Sequence, residues 1–107
     1  MTLENNNQLS NQLRIVPLGG VGEVGKNSTL IDFNGEFVLV DIGVKFPDEE
    51  MVGIDLIIPD LSYVQEHKEN LRGILITHGH EDHIGAIPYA LAYLELDAID
   101  IYGSSLA

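Results

Sequence analysis

The chain has no cysteine and no tryptophan, and only five Lys and Arg residues stand against 17 Asp and Glu, for a formal net charge of −12. Without thiols there are neither disulfides nor thiolate ligands, a composition that fits a reducing compartment, and cytoplasmic residence is expected. A shortage of basic residues argues against a nucleic-acid surface spread over the chain, because phosphate contacts are made by Lys and Arg. No apolar run approaches the ~20 residues that span a bilayer, so no membrane association is expected. The first twelve residues are polar and Asn/Gln-rich. They lack both the apolar core of a signal peptide and the Arg-rich pattern of a transit peptide, and they read as a disordered polar tail, 1–12. The 107 residues suffice for one small core, without internal repeat, linker or second domain.

Against that background stands His78-Gly79-His80-Glu81-Asp82-His83, which holds three of the four histidines. It comes directly after the apolar run of residues 73–77. Neutral imidazole and carboxylate are what a divalent zinc prefers, and manganese or iron accept the same set. Side chains two apart in an extended segment point the same way, so His78 and His80 can offer two imidazoles to one ion. Asp82 and His83, past the bend, suit a second ion beside the first, in the arrangement where paired metals about 3.5–4 Å apart share a hydrolytic water. The plain alternative is a polar loop whose histidines cap or face solvent, and it leaves the density of ligands unexplained.

The rest of the chain organises around this loop. Strands are expected over 13–18, 28–33 and 36–41, the last two joined by Asn34-Gly35, a strong hairpin signal. Residues 56–58 form a short extended piece, and 61–69 a short helix with Asp60 or Ser62 available to cap it. The buried strand 73–77 precedes the metal loop. A helix is expected next over 86–95, with Pro88 in its first turn and Ile87, Leu91 and Leu94 at helical spacing facing the sheet. A last strand covers 98–102. Asp48-Glu49-Glu50 reads as a solvated loop, His67 as an exposed helix residue without a partner at ligand spacing, and Tyr63 and Tyr89 as packing residues.

The glycine-rich turn invites two nucleotide readings. Gly20-Val21-Gly22-Glu23-Val24-Gly25 fits the dinucleotide fingerprint literally and comes after a strand. That site needs a helix next, whereas residues 28–33 are β-prone and end in a hairpin, so no dinucleotide is expected. A phosphate-binding loop over 20–26 fails at Asn27, where Ser or Thr should hold magnesium. A tight turn with positive φ at several glycines is sufficient for the pattern.

The loop His78-Gly79-His80-Glu81-Asp82-His83 resembles the His-x-His-x-Asp-His motif of the metallo-β-lactamase superfamily, whose ion ligands are those three histidines and that aspartate. Further residues resemble its β-CASP nuclease branch and, within it, the ribonuclease J family. They are Pro17-Leu18-Gly19-Gly20-Val21-Gly22-Glu23-Val24-Gly25-Lys26-Asn27, Asp41-Ile42-Gly43-Val44-Lys45-Phe46-Pro47, Gly53-Ile54-Asp55, Ile58-Pro59-Asp60, Ile84-Gly85-Ala86-Ile87-Pro88-Tyr89 and Ile101-Tyr102-Gly103. The resemblance implies an α/β (α+β) class and the metallo-β-lactamase fold, with residues 13–107 the amino-terminal part of that domain, a partial first half of an αββα sandwich. It implies two zinc ions per intact chain, with His78, His80, Asp82 and His83 as ligands and further ligands supplied downstream.

The same resemblance places Asp41 beside the metal centre. Such a carboxylate would fix the tautomer of an imidazole ligand, and the other reading, a strand-end carboxylate satisfying nearby backbone N–H groups, stays open. It sets the glycine-rich loop at the rim of the active site, making Glu23, Lys26 and Asn27 substrate-side candidates. The implied activity is metal-dependent ribonuclease, endonucleolytic and 5′–3′ exonucleolytic, by a two-zinc, activated-hydroxide mechanism in RNA processing and decay. RNA is the implied partner, held largely by regions outside this segment, and the intact protein is a homo-oligomer. Two alternatives remain. One is another metallo-β-lactamase-fold hydrolase acting on thioesters, lactones or lactams, against which the glycine-rich loop and Lys45-Phe46-Pro47 weigh. The other is a non-catalytic metal-binding fragment, in which unpaired strand edges predict poor solubility or self-association.

Overall fold

The computed structural model describes residues 11–47, 53, 57–96 and 98–104. Five strands, β1 (Leu13–Gly19), β2 (Ser28–Phe33), β3 (Glu36–Val40), β4 (Leu71–Leu75) and β5 (Asp100–Tyr102), form one sheet in the order of the chain. The first three pair antiparallel, then β4 joins β3 and β5 joins β4 in parallel. Each parallel step needs a crossover. The first carries α1 (Ser62–Glu66) and a 3-10 turn, Lys68–Asn70, and the second carries α2 (Glu81–Ile84) and α3 (Ile87–Leu94).

Period-2 patterning decides which face is covered. In β2, Ser28, Leu30 and Asp32 are buried while Phe33 is exposed, and in β3 Phe37 and Leu39 are buried. Leu30, Phe37, Leu39 and Ile74 meet Leu61 and Val64 from the first crossover and Ala86, Ala90 and Leu94 from the second. Both crossovers therefore lie on one face. Truncating a fully buried leucine in this cluster, such as Leu39, costs about 2–5 kcal/mol. On the other face Leu13, Ile15, Phe33 and Leu75 remain exposed.

The hairpin forms as Asn34-Gly35 requires, with φ of 54° and 85° and Phe33 opposite Glu36, the pair of positive φ values that a two-residue turn of the primed type needs. Asp32 Oδ1 accepts from Gly35 N–H at 2.9 Å. Gln12 N–H donates to Asn34 Oδ1 at 2.9 Å, and Asn34 Nδ2 donates to Asn11 Oδ1 at 3.1 Å. Residues 11 and 12, grouped with the polar tail from composition, are thus tied to the hairpin. Pro17 sits in edge strand β1 beside a register shift, where its missing N–H breaks no central ladder.

Several boundaries differ from expectation. The strand expected over 73–77 runs over Leu71–Leu75, because Asp41 turns out of β3 with φ 64° and ends the ladder that Ile76 and Thr77 would have continued. The helix expected over 61–69 closes at Glu66 and restarts as the 3-10 turn. Its start is held by Asp60, whose Oδ1 accepts from Ser62 N–H at 3.0 Å and from the Ser62 hydroxyl at 2.7 Å, and these bonds hold the carboxyl below its ordinary pKa. His67 is not an exposed helix residue. It terminates α1, half-buried, its ring 4.9 Å from Tyr63 and 6.1 Å from Phe37. Tyr63 packs on Phe37 as expected, at 5.8 Å, while Tyr89 is half exposed. In α3, Leu94 is buried and Ile87 and Leu91 pack against the core. The strand expected over 98–102 is confined to Asp100–Tyr102. Of the extended piece expected over 56–58, Ile57 bridges Lys45. Leu56 and Asp48-Glu49-Glu50 lie outside the described residues.

Candidate metal centre

Two parallel strands end side by side, and ligands in such sheets gather at the carboxyl ends. Val40 pairs with Leu75, so the first residues past β3 and β4 meet. Asp41 N–H donates to Leu75 O at 2.7 Å. The carboxylate of Asp41, 4 % exposed, turns toward the loop after β4. Oδ1 accepts from Thr77 N–H at 2.8 Å, Oδ2 accepts from the Thr77 hydroxyl at 2.7 Å, and Oδ2 lies 2.7 Å from His83 Nδ1. The contacts behind both readings of Asp41 are present in one group: it satisfies a backbone N–H and braces an imidazole. An ionised carboxylate can only accept, so this contact calls for the His83 proton on Nδ1 and makes Nε2 the ring's acceptor.

The His-rich loop is not the straight extension assumed for it, since the chain bends at Thr77 and again at Gly79 and His80. The ligand atoms of His78, Asp82 and His83 lie within 4.8 Å of one another. The ring of His78 is 4.0 Å from that of His83 and stands edge-on, 4.8 Å from that of His80. His80 takes the N-cap position of α2, with its carbonyl accepting from His83 and Ile84 N–H at 2.8 and 3.0 Å. Its side chain makes no hydrogen bond among the described residues. Two imidazoles and a carboxylate converging at this distance, one imidazole braced by a buried carboxylate, fit a divalent metal ion.

The metal loop is fastened to two neighbouring segments by backbone bonds. Ile42 N–H donates to His83 O at 2.9 Å, Val44 N–H to Glu81 O at 3.1 Å and Ala86 N–H to Ile42 O at 2.9 Å. A Cβ on Gly43 would collide with the Asp82 carbonyl, so only glycine admits this approach. Asn27 holds the same carbonyl twice, by its backbone N–H at 3.1 Å and by Nδ2 at 2.9 Å. Its Nδ2 also lies 3.5 Å from Asp82 Oδ2 and from His83 Nε2. Gly43 carried no chemical signal in the sequence, and its close approach to the Asp82 carbonyl is visible only in the folded chain.

The glycine-rich turn has positive φ at Gly20, Gly22 and Gly25, and at Lys26 as well, and the chain passes from it into strand β2. Glu23 staples the turn: Oε2 accepts from Gly20 N–H at 3.2 Å and lies 3.6 Å from Lys26 Nζ, and Oε1 accepts from Lys45 Nζ at 3.3 Å. The Gly20 N–H, with the two lysines, holds the Glu23 carboxyl below its ordinary pKa. Of the three substrate-side candidates, Asn27 is thus directed at the metal loop, while Glu23 and Lys26 pair with each other. An open cleft of about 500 Å³ lies between the turn and the loop, lined by Val24, Gly25, Val44, Lys45, Phe46, His80, Glu81 and Asp82.

Sequence comparison agrees with this architecture. A family model described as the metallo-beta-lactamase superfamily matches residues 21–94. Over 94 residues the chain is 53% identical to a protein named Ribonuclease J 2 from Staphylococcus aureus strain MRSA252, covering 88% of this chain and 16% of the relative. The identity is 52% to the Ribonuclease J 2 of S. aureus strain NCTC 8325 / PS 47 and 50% to that of Staphylococcus epidermidis, with the same coverage. The chain therefore spans 16% of the length of these relatives. Because residues 21–94 take in both the metal loop and the carboxylate that braces it, the chain belongs to the metallo-beta-lactamase superfamily.

Proposed function

We propose that this chain supplies the metal-binding loop of a two-zinc ribonuclease of the ribonuclease J kind, which hydrolyses RNA phosphodiesters internally and from the 5′ end in RNA processing and decay. The observation that carries the proposal is the convergence of His78, Asp82 and His83 beside the buried Asp41. Likeness to proteins named Ribonuclease J 2 supports RNA as the substrate. His78 and His80 would hold one ion, Asp82 and His83 its neighbour, with manganese or iron accepted by the same donors. That allots two side chains per ion where a catalytic zinc usually takes three, so the complete centre draws ligands from outside these 107 residues.

When bound, such ions supply an acidified water near neutral pH and positive charge against the phosphodiester oxygens. The chain's own residues orient the site. Asp41 keeps the His83 proton on Nδ1, Asn27 and Gly43 hold the Asp82 backbone in place, and the cleft beside Phe46 and Lys45 admits substrate to the rim. Residence in the cytoplasm and assembly as a homo-oligomer complete the proposal.

Metal content and cleavage of a 5′-labelled RNA are to be measured on the chain alone and on the same segment carried in a full-length ribonuclease J-type protein, each with His80→Ala and Asp82→Ala variants. About two ions per full-length chain and RNA cleavage, both lost in the variants, are expected. A metal-loaded protein that spares RNA and hydrolyses a thioester or lactone would move it to another branch of the superfamily.

A further inference from the structure

Thr77 Oγ1 lies 2.7 Å from Asp41 Oδ2, 3.1 Å from His78 Nδ1 and 3.3 Å from His83 Nδ1. A hydroxyl has one proton to give and two lone pairs to accept with. The Asp41 carboxylate only accepts, and it makes the shortest of the three contacts, so the Thr77 proton goes to Asp41. What Thr77 then offers His78 is an acceptor. Nδ1 of His78 must carry a proton to use it, which leaves the lone pair of the neutral ring on Nε2. The hydroxyl is not free to turn away: Thr77 N–H is bound to Oδ1 of the same carboxylate at 2.8 Å, and a β-branched side chain has few rotamers.

We propose that Thr77 is a positioning residue that extends the Asp41 carboxylate to a second imidazole. Asp41 sets the tautomer of His83 directly and that of His78 through the Thr77 hydroxyl, so both rings keep Nε2 available for a divalent ion. This inference rests on the metal-centre proposal, but its first test does not involve a metal.

Long-range 15N–1H correlation spectra of the metal-free 107-residue chain, recorded where the imidazoles are neutral, read the tautomers of His78 and His83. Both rings are expected protonated on Nδ1. Thr77→Val should move His78 to the Nε2–H form and leave His83 unchanged, while Thr77→Ser keeps both as in the wild type. In zinc titrations, Thr77→Val should weaken binding on the order of 10–100-fold, and Thr77→Ser should restore it. A wild-type His78 protonated on Nε2, or a Thr77→Val chain with His78 unmoved, overturns the inference. Should Thr77→Val not fold, the wild-type and Thr77→Ser spectra decide by themselves: Nδ1–H in both supports the relay, and Nε2–H in the wild type refutes it. Correct tautomers in the chain, with no metal bound by the same segment carried in a full-length ribonuclease J-type protein, would instead sink the metal-centre proposal and leave the relay standing.

Discussion

His80 and His83 are the same side chain three positions apart, yet their surroundings share little. His83 has its Nδ1 against Asp41 at 2.7 Å, its side chain 21 % exposed, and its backbone carbonyl bound by Ile42 N–H. His80 stands exposed at the start of α2, its ring edge-on to that of His78 at 4.8 Å. One ring is oriented by the protein itself, and the side chain of the other has no hydrogen bond among the described residues to orient it. Preorganisation arises from burial at the carboxyl ends of two parallel strands, where a carboxylate excluded from water must find donors within the protein.

The contrast can be erased by making His83 resemble His80. Asp41→Ala removes the acceptor for the Thr77 N–H, the Thr77 hydroxyl and His83 Nδ1. A loss of about 3 kcal/mol in unfolding free energy is expected, because unpaired buried donors cost about 1–3 kcal/mol each and some will reach water. Zinc affinity should fall on the order of 10–100-fold. Urea denaturation and zinc titration check both, and an unchanged denaturation midpoint would show that the carboxylate does not organise the site.

Gly43→Ala attacks the support from the other side. Its Cβ meets the Asp82 carbonyl, which is backbone and must move bodily. A destabilisation of about 1–3 kcal/mol is expected, with faster amide exchange at Asn27, whose N–H bonds that carbonyl. Wild-type stability in this variant would mean that the three segments are not in register as described. Asn27→Ala should cost less, about 1 kcal/mol, since the backbone bond to Asp82 remains when the side-chain bond is lost.

His80→Ala sharpens the comparison, because its effect on the metal-free chain should be within about 0.5 kcal/mol of zero although zinc binding drops. A metal-free destabilisation as large as that of Asp41→Ala would remove the distinction. The smallest effect comes from acid. Glu23 and Asp60 both have carboxyl pKa values lowered in the folded chain. Their stabilisation is present above the ordinary carboxylate range and is lost as pH falls from about 4 through the lowered values. Glu23→Gln should flatten that acid-side slope slightly and leave stability at pH 7 near wild type, since a glutamine oxygen can still accept from Gly20 N–H.

Much of this was legible in local sequence. Asn34-Gly35 dictates a turn with two positive φ values, and the expected hairpin formed, with Phe33 opposite Glu36. The 3.6-residue spacing of Ile87, Leu91 and Leu94 marked the buried side of α3. What failed were boundaries and environments set by distant partners. The end of β4 moved because Asp41, from another strand, turned away and stopped pairing. His67 proved half-buried because Tyr63 and Phe37 gather around it. The loop after β4 bends where straight alternation was assumed. Thr77, where the loop first bends, is held through its N–H and hydroxyl by Asp41, to which no periodicity in residues 78–83 points.

The sequence by itself determined the chemistry on offer: three imidazoles and two carboxylates in six positions, no thiols, an acidic balance, and turns that glycine and asparagine impose through their own φ preferences. Only the tertiary structure decided which donors meet. Asp41 and Thr77 are 36 residues apart and Asp41 and His83 are 42 apart. Their contacts exist because β3 and β4 pair in parallel with Val40 opposite Leu75. Parallel pairing is made across a crossover, so its register answers to the packing of the whole sheet and to no local run of residues.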